Sequence, residues 1–159
     1  MQIPNLERLC NQALYAMNCG VIITDSKGNI LYLNQMAQQL TGWLPEQAAG
    51  RELNEVFVVI QEENRVRYHL DIGKATADAD LPDYLILLNN KTASETYISA
   101  KITSFSDETE NFTGLVLSFY DAAVYRQREL NVSCRSFHDS LTGLYNRDFF
   151  EVELQRLNS

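Results

Sequence analysis

Five runs of β-type residues and a block of short helices, arranged in a fixed order, most constrain how this chain can fold. The first two runs, GVIITD and ILYLN, are joined by the turn SKGN, in which Gly28 can adopt the positive φ of a tight hairpin. Residues 34–65 contain helical pieces that are interrupted by Gly42, Pro45 and Gly50. Three further β runs occupy residues 84–90, 96–105 and 113–121. This order predicts an α+β fold with a five-stranded antiparallel sheet and short helices on one of its faces.

Residues 5–18, within an N-terminal segment of residues 1–19, show the spacing of an amphipathic helix. Its apolar side chains recur on one face: Leu6, Leu9, Cys10, Ala13, Leu14 and Met17. Because burial of an apolar face stabilises a helix, we expect this face to cover another surface. Residues 66–83 are polar and poorly patterned, and we interpret them as a connection to the last three strands.

The composition excludes several classes of protein. With 159 residues, 45% of them apolar, the chain can bury one core. Its formal net charge of -8 offers no basic surface, so we expect neither a nucleic acid nor a membrane as its partner. The cysteines Cys10, Cys19 and Cys134 are scattered and fit neither a disulfide framework nor a zinc site. Since the apolar runs are too short to span a bilayer, a cytoplasmic segment with reduced thiols is expected.

The central part of the chain resembles a PAS domain. The resemblance rests on GVIITDSKGNILYLNQMAQQLTGWLPEQAAGRELNEVF, IQEENR and FTGLVLSFYDAA, which together extend over roughly residues 7–122. Its features are the Gly-x-x-x-x-Asp first strand, Gly28, Asn34 at the start of a helix, Thr41, Gly42, Gly50, and a last strand from Gly114 to Asp121. The order and spacing of these features make the resemblance specific. It implies a sensory or regulatory domain over residues 20–122.

PAS domains often hold a ligand between the sheet and the helices. Candidate pocket residues are Tyr32, Trp43, Phe57, His69, Leu85 and Phe119, although aromatic side chains at such spacings also form ordinary cores. His69 is the candidate axial ligand for a haem. The cysteine motif that forms the adduct in light-sensing flavin domains is missing from this sequence. A redox flavin or a small metabolite stays open as the ligand, and the sequence requires no cofactor and no metal.

Residues 123–138 predict a helical connector after the last strand. A three-four spacing forms a candidate coiled-coil seam: Tyr120, Ala123, Gln127, Leu130, Cys134, Phe137 and Leu141. Two copies of the chain can pair along such a seam, so we expect a homodimer. The alternative is an ordinary helix that packs back on its own domain, because Gln127 interrupts a seam of only three heptads.

The segment DSLTGLYNRDFFEVEL predicts that the connector helix stops and that a second helix begins. Asp139 and Thr142 are suited to bond nearby backbone groups in a turn, and Gly143 permits a conformation that ends a helix. Asn146 is a good N-cap residue for a new helix that starts at about Arg147. The apolar residues of this second helix share one face: Phe150, Leu154 and Leu157.

The same segment is similar to the Asp-x-Leu-Thr-Gly-Leu-x-Asn-Arg opening of the GGDEF domain, the diguanylate cyclase module. Seven defined positions match: Asp139, Leu141, Thr142, Gly143, Leu144, Asn146 and Arg147. The resemblance implies that residues 139–159 are the truncated beginning of a GGDEF domain. No catalytic residue of that family falls within this sequence, so the chain itself is not expected to be an enzyme.

Together, these resemblances imply a sensory PAS module that controls cyclic di-GMP synthesis by a downstream GGDEF domain. One alternative is a PAS scaffold that only pairs subunits. Another is a histidine kinase fragment, because His138 and Asp139 follow a coiled-coil-like helix. A phosphoacceptor helix would continue past the histidine, whereas Gly143 and Asn146 predict a stop and a restart.

Overall fold

The computed structural model describes residues 5–73, 81–106, 108–109, 112–136, 141–142, 144 and 146–157. Contacts between Cα atoms divide the chain into two compact units, Met1–Ala122 and Ala123–Ser159. The first unit contains the sheet and its flanking helices, and the second contains two further helices.

In the first unit, α1 (Leu6–Ala16) precedes the hairpin strands β1 (Cys19–Asp25) and β2 (Ile30–Leu33). Three short helices follow: α2 (Gln35–Thr41), α3 (Pro45–Ala48) and α4 (Leu53–Val56). The remaining strands are β3 (Val59–Ile60), β4 (Arg67–Tyr68), β5 (Leu85–Leu88), β6 (Glu95–Ser106) and β7 (Phe112–Asp121). All pair antiparallel in the order β2-β1-β7-β6-β5-β3-β4, which confirms the predicted α+β class and antiparallel sheet.

The described sheet has seven strands, so the predicted count of five was wrong. The two additional strands, β3 and β4, contain two residues each and pair Val59 with Tyr68 and Ile60 with Arg67. β3 lies in the stretch interpreted as helical, and β4 lies in the stretch interpreted as a connection. Two residues are too few to show the alternation by which a strand is recognised in a sequence, so only tertiary pairing defines them.

The β1–β2 hairpin forms as predicted around Gly28, whose φ of 85° lies in the left-handed region. Its amide donates to the carbonyl oxygen of Asp25 at 3.1 Å. The Asp25 carboxylate accepts from the backbone N–H groups of Lys27 and Asn29, each at 2.9 Å. These donors favour the charged carboxylate, and the Asn29 amide is the main cause of a lowered Asp25 pKa.

Asn34 joins the hairpin to the helical layer. Its side-chain oxygen accepts from the backbone N–H of Ala37 and from that of Val21, each at 2.9 Å. Its side-chain nitrogen donates to the carbonyl oxygen of Cys19 at 2.9 Å. Asn34 is therefore the N-cap of α2, as predicted, and also satisfies two backbone groups at the start of β1.

The second unit contains α5 (Ala123–Ser136) and α6 (Arg147–Leu157). The predicted connector helix and the predicted helix start at Arg147 are both present. Arg147 binds Glu151 one turn further along α6, with 2.9 Å between Nε and the carboxylate oxygen. No helix among the described residues is long and apolar enough to cross a membrane.

Candidate functional site

The interior between sheet and helices is filled by a tightly packed aromatic cluster. Phe57, Leu85 and Phe119 are all buried, and the Phe57 and Phe119 ring centroids lie 4.9 Å apart with their planes tilted by 58°. Position 20 must be glycine here, because a Cβ atom would lie 2.7 Å from the Phe119 ring. Three of the predicted pocket residues thus lie together, in contact with one another rather than around a gap.

Trp43 lies at the edge of this cluster and is partly buried against it. The guanidinium carbon of Arg51 lies 5.2 Å from the centroid of its ring, which is the geometry of a cation–π contact. The same guanidinium group donates through Nε to the carbonyl oxygen of Gln47 at 2.8 Å. These contacts fix the Trp43 ring in place, so its exposed side is a rigid surface.

Tyr32 and His69 lie outside the buried cluster. The Tyr32 hydroxyl donates to the side-chain oxygen of Asn11 on α1 at 2.6 Å. His69 is exposed, so a haem ligated by this residue would lie on the surface of the unit rather than in its core. The six candidate pocket residues therefore occupy different places and do not line one common cavity.

Three grooves lie on the outside of the helical layer. One, here called the β2 groove, has a volume of about 400 Å³ and is lined by Asn11, Ile30, Leu31, Tyr32, Leu33, Gln35, Gln38, Pro45 and Ala49. A second, of about 520 Å³, lies between α1 and the start of α2. A third, of about 570 Å³, lies between α2, Trp43 and the turn at Asn89–Thr92. Sequence reasoning missed these grooves because amide side chains that line them show no periodicity.

The apolar face of α1 is uncovered within the described structure. The helix has no buried residue, and Leu6, Leu9 and Met17 are 59%, 47% and 72% exposed. The contact of α1 with the sheet is instead made on its other side, where Asn11 accepts the bond from Tyr32. The amphipathic helix was predicted correctly, but the surface that covers its apolar face is not part of this chain's described fold.

The predicted seam begins in the wrong element. Tyr120 lies in β7, and the helix starts only at Ala123, so Tyr120 is not a helical seam position. The remaining described members, Ala123, Gln127 and Leu130, are all exposed on α5. Gln127 bonds Asn131 on the same helix at 3.4 Å. Cys134 lies in α5 but its side chain is not described, and Phe137 lies outside the described residues.

The junction motif lies between α5 and α6. Leu141 is 94% exposed, and the Thr142 hydroxyl oxygen accepts from the Leu144 amide at 3.3 Å, as expected for a turn. Asn146 directly precedes α6. Asp139 and Gly143 lie outside the described residues.

Metal and thiol chemistry have little basis among the residues that the structure describes. These residues contain no group of three or more His, Cys, Asp or Glu side chains that could hold a metal ion. Cys10 and Cys19 are free thiols. Cys10 is exposed, whereas partial burial raises the pKa of the Cys19 thiol and makes its reactive thiolate scarcer.

Comparison with known proteins identifies a family and a distant relative. The family described as PAS fold matches residues 8–122. The probable diguanylate cyclase DgcE of Escherichia coli strain K12 is 26% identical over 141 residues, which cover 86% of this chain and 12% of the relative. This chain thus spans only a small part of that protein. No GGDEF domain and no other catalytic domain was found in the chain.

Solved structures show the same fold. An RNA-binding light-oxygen-voltage receptor superposes with a TM-score of 0.53 at 14% identity, over 82% of this chain and 38% of that chain. The dark structure of the blue-light photoreceptor Aureochrome1 LOV superposes with a TM-score of 0.51 at 15% identity, over 84% of this chain and 98% of that chain. Since the family match covers most of the sequence, this chain belongs to the PAS family, and residues 8–122 form a PAS sensory or regulatory domain.

Proposed function

We propose that this chain is the sensory or regulatory PAS module of a signalling protein in which a GGDEF domain makes cyclic di-GMP. The state of the PAS domain would reach the cyclase through subunit pairing and through the connector helix α5. The observation that carries the proposal is the junction motif at residues 139–147, which matches the GGDEF opening at seven positions and directly precedes α6.

The relative in Escherichia coli supports the same reading. Its printed description is a probable diguanylate cyclase, and it is 26% identical to this chain over 141 residues. A PAS domain that precedes a cyclase in one protein is a reasonable guide to the partner of a similar PAS domain in another. The likeness is distant, so it supports the proposal together with the junction motif and not by itself.

The apolar face of α6 also fits the proposal. Phe150, Leu154 and Leu157 are 58%, 59% and 79% exposed and recur at intervals of four and three residues. A helix with such a stripe is normally stabilised by packing against a domain. A GGDEF domain that begins with this helix would supply the missing packing surface.

Subunit pairing fits the chemistry of the proposed output. Cyclic di-GMP is made from two GTP molecules, so two cyclase domains must face each other. The exposed apolar face of α1 and the exposed Leu130 on α5 are surfaces on which two copies of the chain could pair. A change in the PAS domain would then favour one of two packings of the connector.

A scaffold that only pairs subunits is the second candidate, and the packed interior favours it. Phe57 and Phe119 fill the space in which a PAS ligand would lie, with 4.9 Å between their centroids. Native mass spectrometry and an absorption spectrum of the purified chain distinguish the two candidates. A bound small molecule would favour a sensor, and a colourless dimer without bound mass would favour the scaffold.

The proposal is tested by measuring cyclic di-GMP made by the parent protein with Leu130→Asp. This substitution places a charge on the predicted seam and should change the output severalfold. Val124→Asp is the matched control, since Val124 is an equally apolar and exposed residue of α5 that lies off the seam. A parent protein that makes no cyclic di-GMP, or equal output from both variants, would contradict the proposal.

A further inference from the structure

We propose that the β2 groove binds an extended, uncharged peptide segment, which pairs with the open edge of β2. Among the described strands, β2 is the outermost at its side of the sheet. All four of its residues, Ile30–Leu33, line the groove. A groove beside an outer strand is the setting in which proteins add a peptide as a further strand. Peptide binding at this place does not depend on whether a cyclase follows α6.

The backbone of Leu33 supplies the open hydrogen-bonding groups. The Asn34 amide donates to the Val21 carbonyl oxygen at 3.1 Å, and Leu33 pairs with Ile22 at the next position. Bonded and non-bonded pairs alternate in antiparallel strands, so Leu33 directs its N–H and C=O away from β1. No acceptor for the Leu33 amide is found among the described residues, and its oxygen has only a long contact of 3.5 Å from Gln38.

The other end of the strand is already occupied, which defines the length of the open edge. The Ile30 amide donates to the Arg51 carbonyl oxygen at 2.8 Å, and the Ile30 oxygen accepts from the Gly50 amide at 2.9 Å. An incoming segment can therefore pair only beyond Ile30, along Leu31 and Leu33. Two or three backbone hydrogen bonds fit this length, so we expect weak, reversible binding.

The lining of the groove selects for an uncharged segment. The residues that line it include no Asp, Glu, Lys or Arg, although 21% of the chain is charged. Gln35 and Gln38 lie on one side and offer amide donors and acceptors, which match the groups of a peptide backbone. Leu31, which is 61% exposed, and Pro45 offer apolar surface to a peptide side chain. A charged side chain would lose its water here without gaining a partner.

The test uses two-dimensional NMR spectra of the whole chain with pools of capped hexapeptides made of Val, Thr, Leu and Ser. At millimolar peptide we expect shifts of the Leu31 and Leu33 backbone amides and of the side-chain amides of Gln35 and Gln38. Hydrogen exchange at the Leu33 amide should slow about tenfold on saturation, because the amide gains an acceptor. The proposal is overturned if no pool shifts these signals, or if bound peptides shift only the apolar face of α1.

Two controls make the result specific. Pools with two lysines per peptide should bind more weakly than the uncharged pools, although the net charge of -8 attracts cations. Gln38→Glu should weaken uncharged peptides about tenfold, because it puts a carboxylate into the groove. Gln47→Glu, in the third groove, should leave binding unchanged. Equal losses in both variants, or stronger binding of the lysine pools, would contradict a selective peptide groove.

Discussion

The hydroxyl group of Tyr32 donates a 2.6 Å hydrogen bond to the side-chain oxygen of Asn11, and this bond joins β2 to α1. Because α1 has no buried side chain, a polar contact of this kind has more weight than it would have beside an apolar interface. The apolar face of the helix stays free for another partner while Asn11 holds the opposite side.

Replacing Tyr32 by Phe should therefore loosen α1 without disturbing the core. Loss of this bond costs about 1 kcal/mol, so amide exchange within α1 should become about fivefold faster. Hydrogen–deuterium exchange with mass spectrometry measures the change. Tyr68→Phe is the control, because no hydrogen bond of the Tyr68 hydroxyl is found among the described residues. Equal exchange of α1 in both variants would show that the Tyr32 bond does not hold the helix.

Asn34→Ala should be strongly destabilising. It removes the N-cap of α2 and leaves the Val21 amide and the Cys19 carbonyl without their partners, which together lower the free energy of unfolding by about 3 kcal/mol. Urea denaturation measures the loss. Asn90→Ala, in an exposed turn, should change stability by less than about 0.5 kcal/mol. A loss below about 1 kcal/mol at Asn34 would contradict its joining role.

Phe119→Ala should open a cavity in the packed interior. The ring is fully buried and contacts both Phe57 and the backbone at Gly20, so we expect the free energy of unfolding to fall by about 4 kcal/mol. Thermal or urea unfolding measures this loss. Phe150→Ala on the exposed face of α6 is a matched control with little expected cost. A mild effect at Phe119 would indicate that the interior is loosely filled and has room for a ligand.

Asp25 should make the stability of the PAS domain depend on acid pH. The Asn29 amide lowers the pKa of Asp25 in the folded state, so its carboxylate stabilises the fold above the ordinary value of 3.8. This contribution is lost as the pH falls through the lowered folded pKa. Asp25→Asn should therefore be less stable than the native chain at neutral pH, and the difference should shrink below about pH 4.

Denaturant unfolding between neutral pH and about pH 2 measures this dependence. Glu46→Gln is the control, because Glu46 is an exposed carboxylate for which no hydrogen bond is found among the described residues. A constant difference between Asp25→Asn and the native chain at all pH values would contradict the assigned linkage.

The parts of the fold that were predictable are those with a local signal. The hairpin at Gly28, the cap at Asn34 and the helix start at Arg147 each depend on residues close together in sequence. β3 and β4 were missed because two-residue strands exist only through pairing with distant residues. Tyr120 was assigned to a helix because its spacing from Ala123 is three, although β7 extends one residue beyond it.

The site was less predictable than the fold, for a physical reason. Aromatic residues such as Phe57 and Tyr32 look alike in a sequence, yet one fills the core and the other bonds α1 at the surface. The open edge at Leu33 depends on which strand is outermost in the sheet, and no local pattern contains that information. Sequence therefore indicated which residues are large and apolar, but not which of them surround a groove.

The most direct test of the connector account is the mass of the purified chain in solution, measured by native mass spectrometry with the two α5 variants. We expect a dimer for the native chain and for Val124→Asp, and a monomer or a much weaker dimer for Leu130→Asp. A monomeric native chain, or a Leu130→Asp variant that pairs as tightly as the native chain, would contradict pairing along the connector.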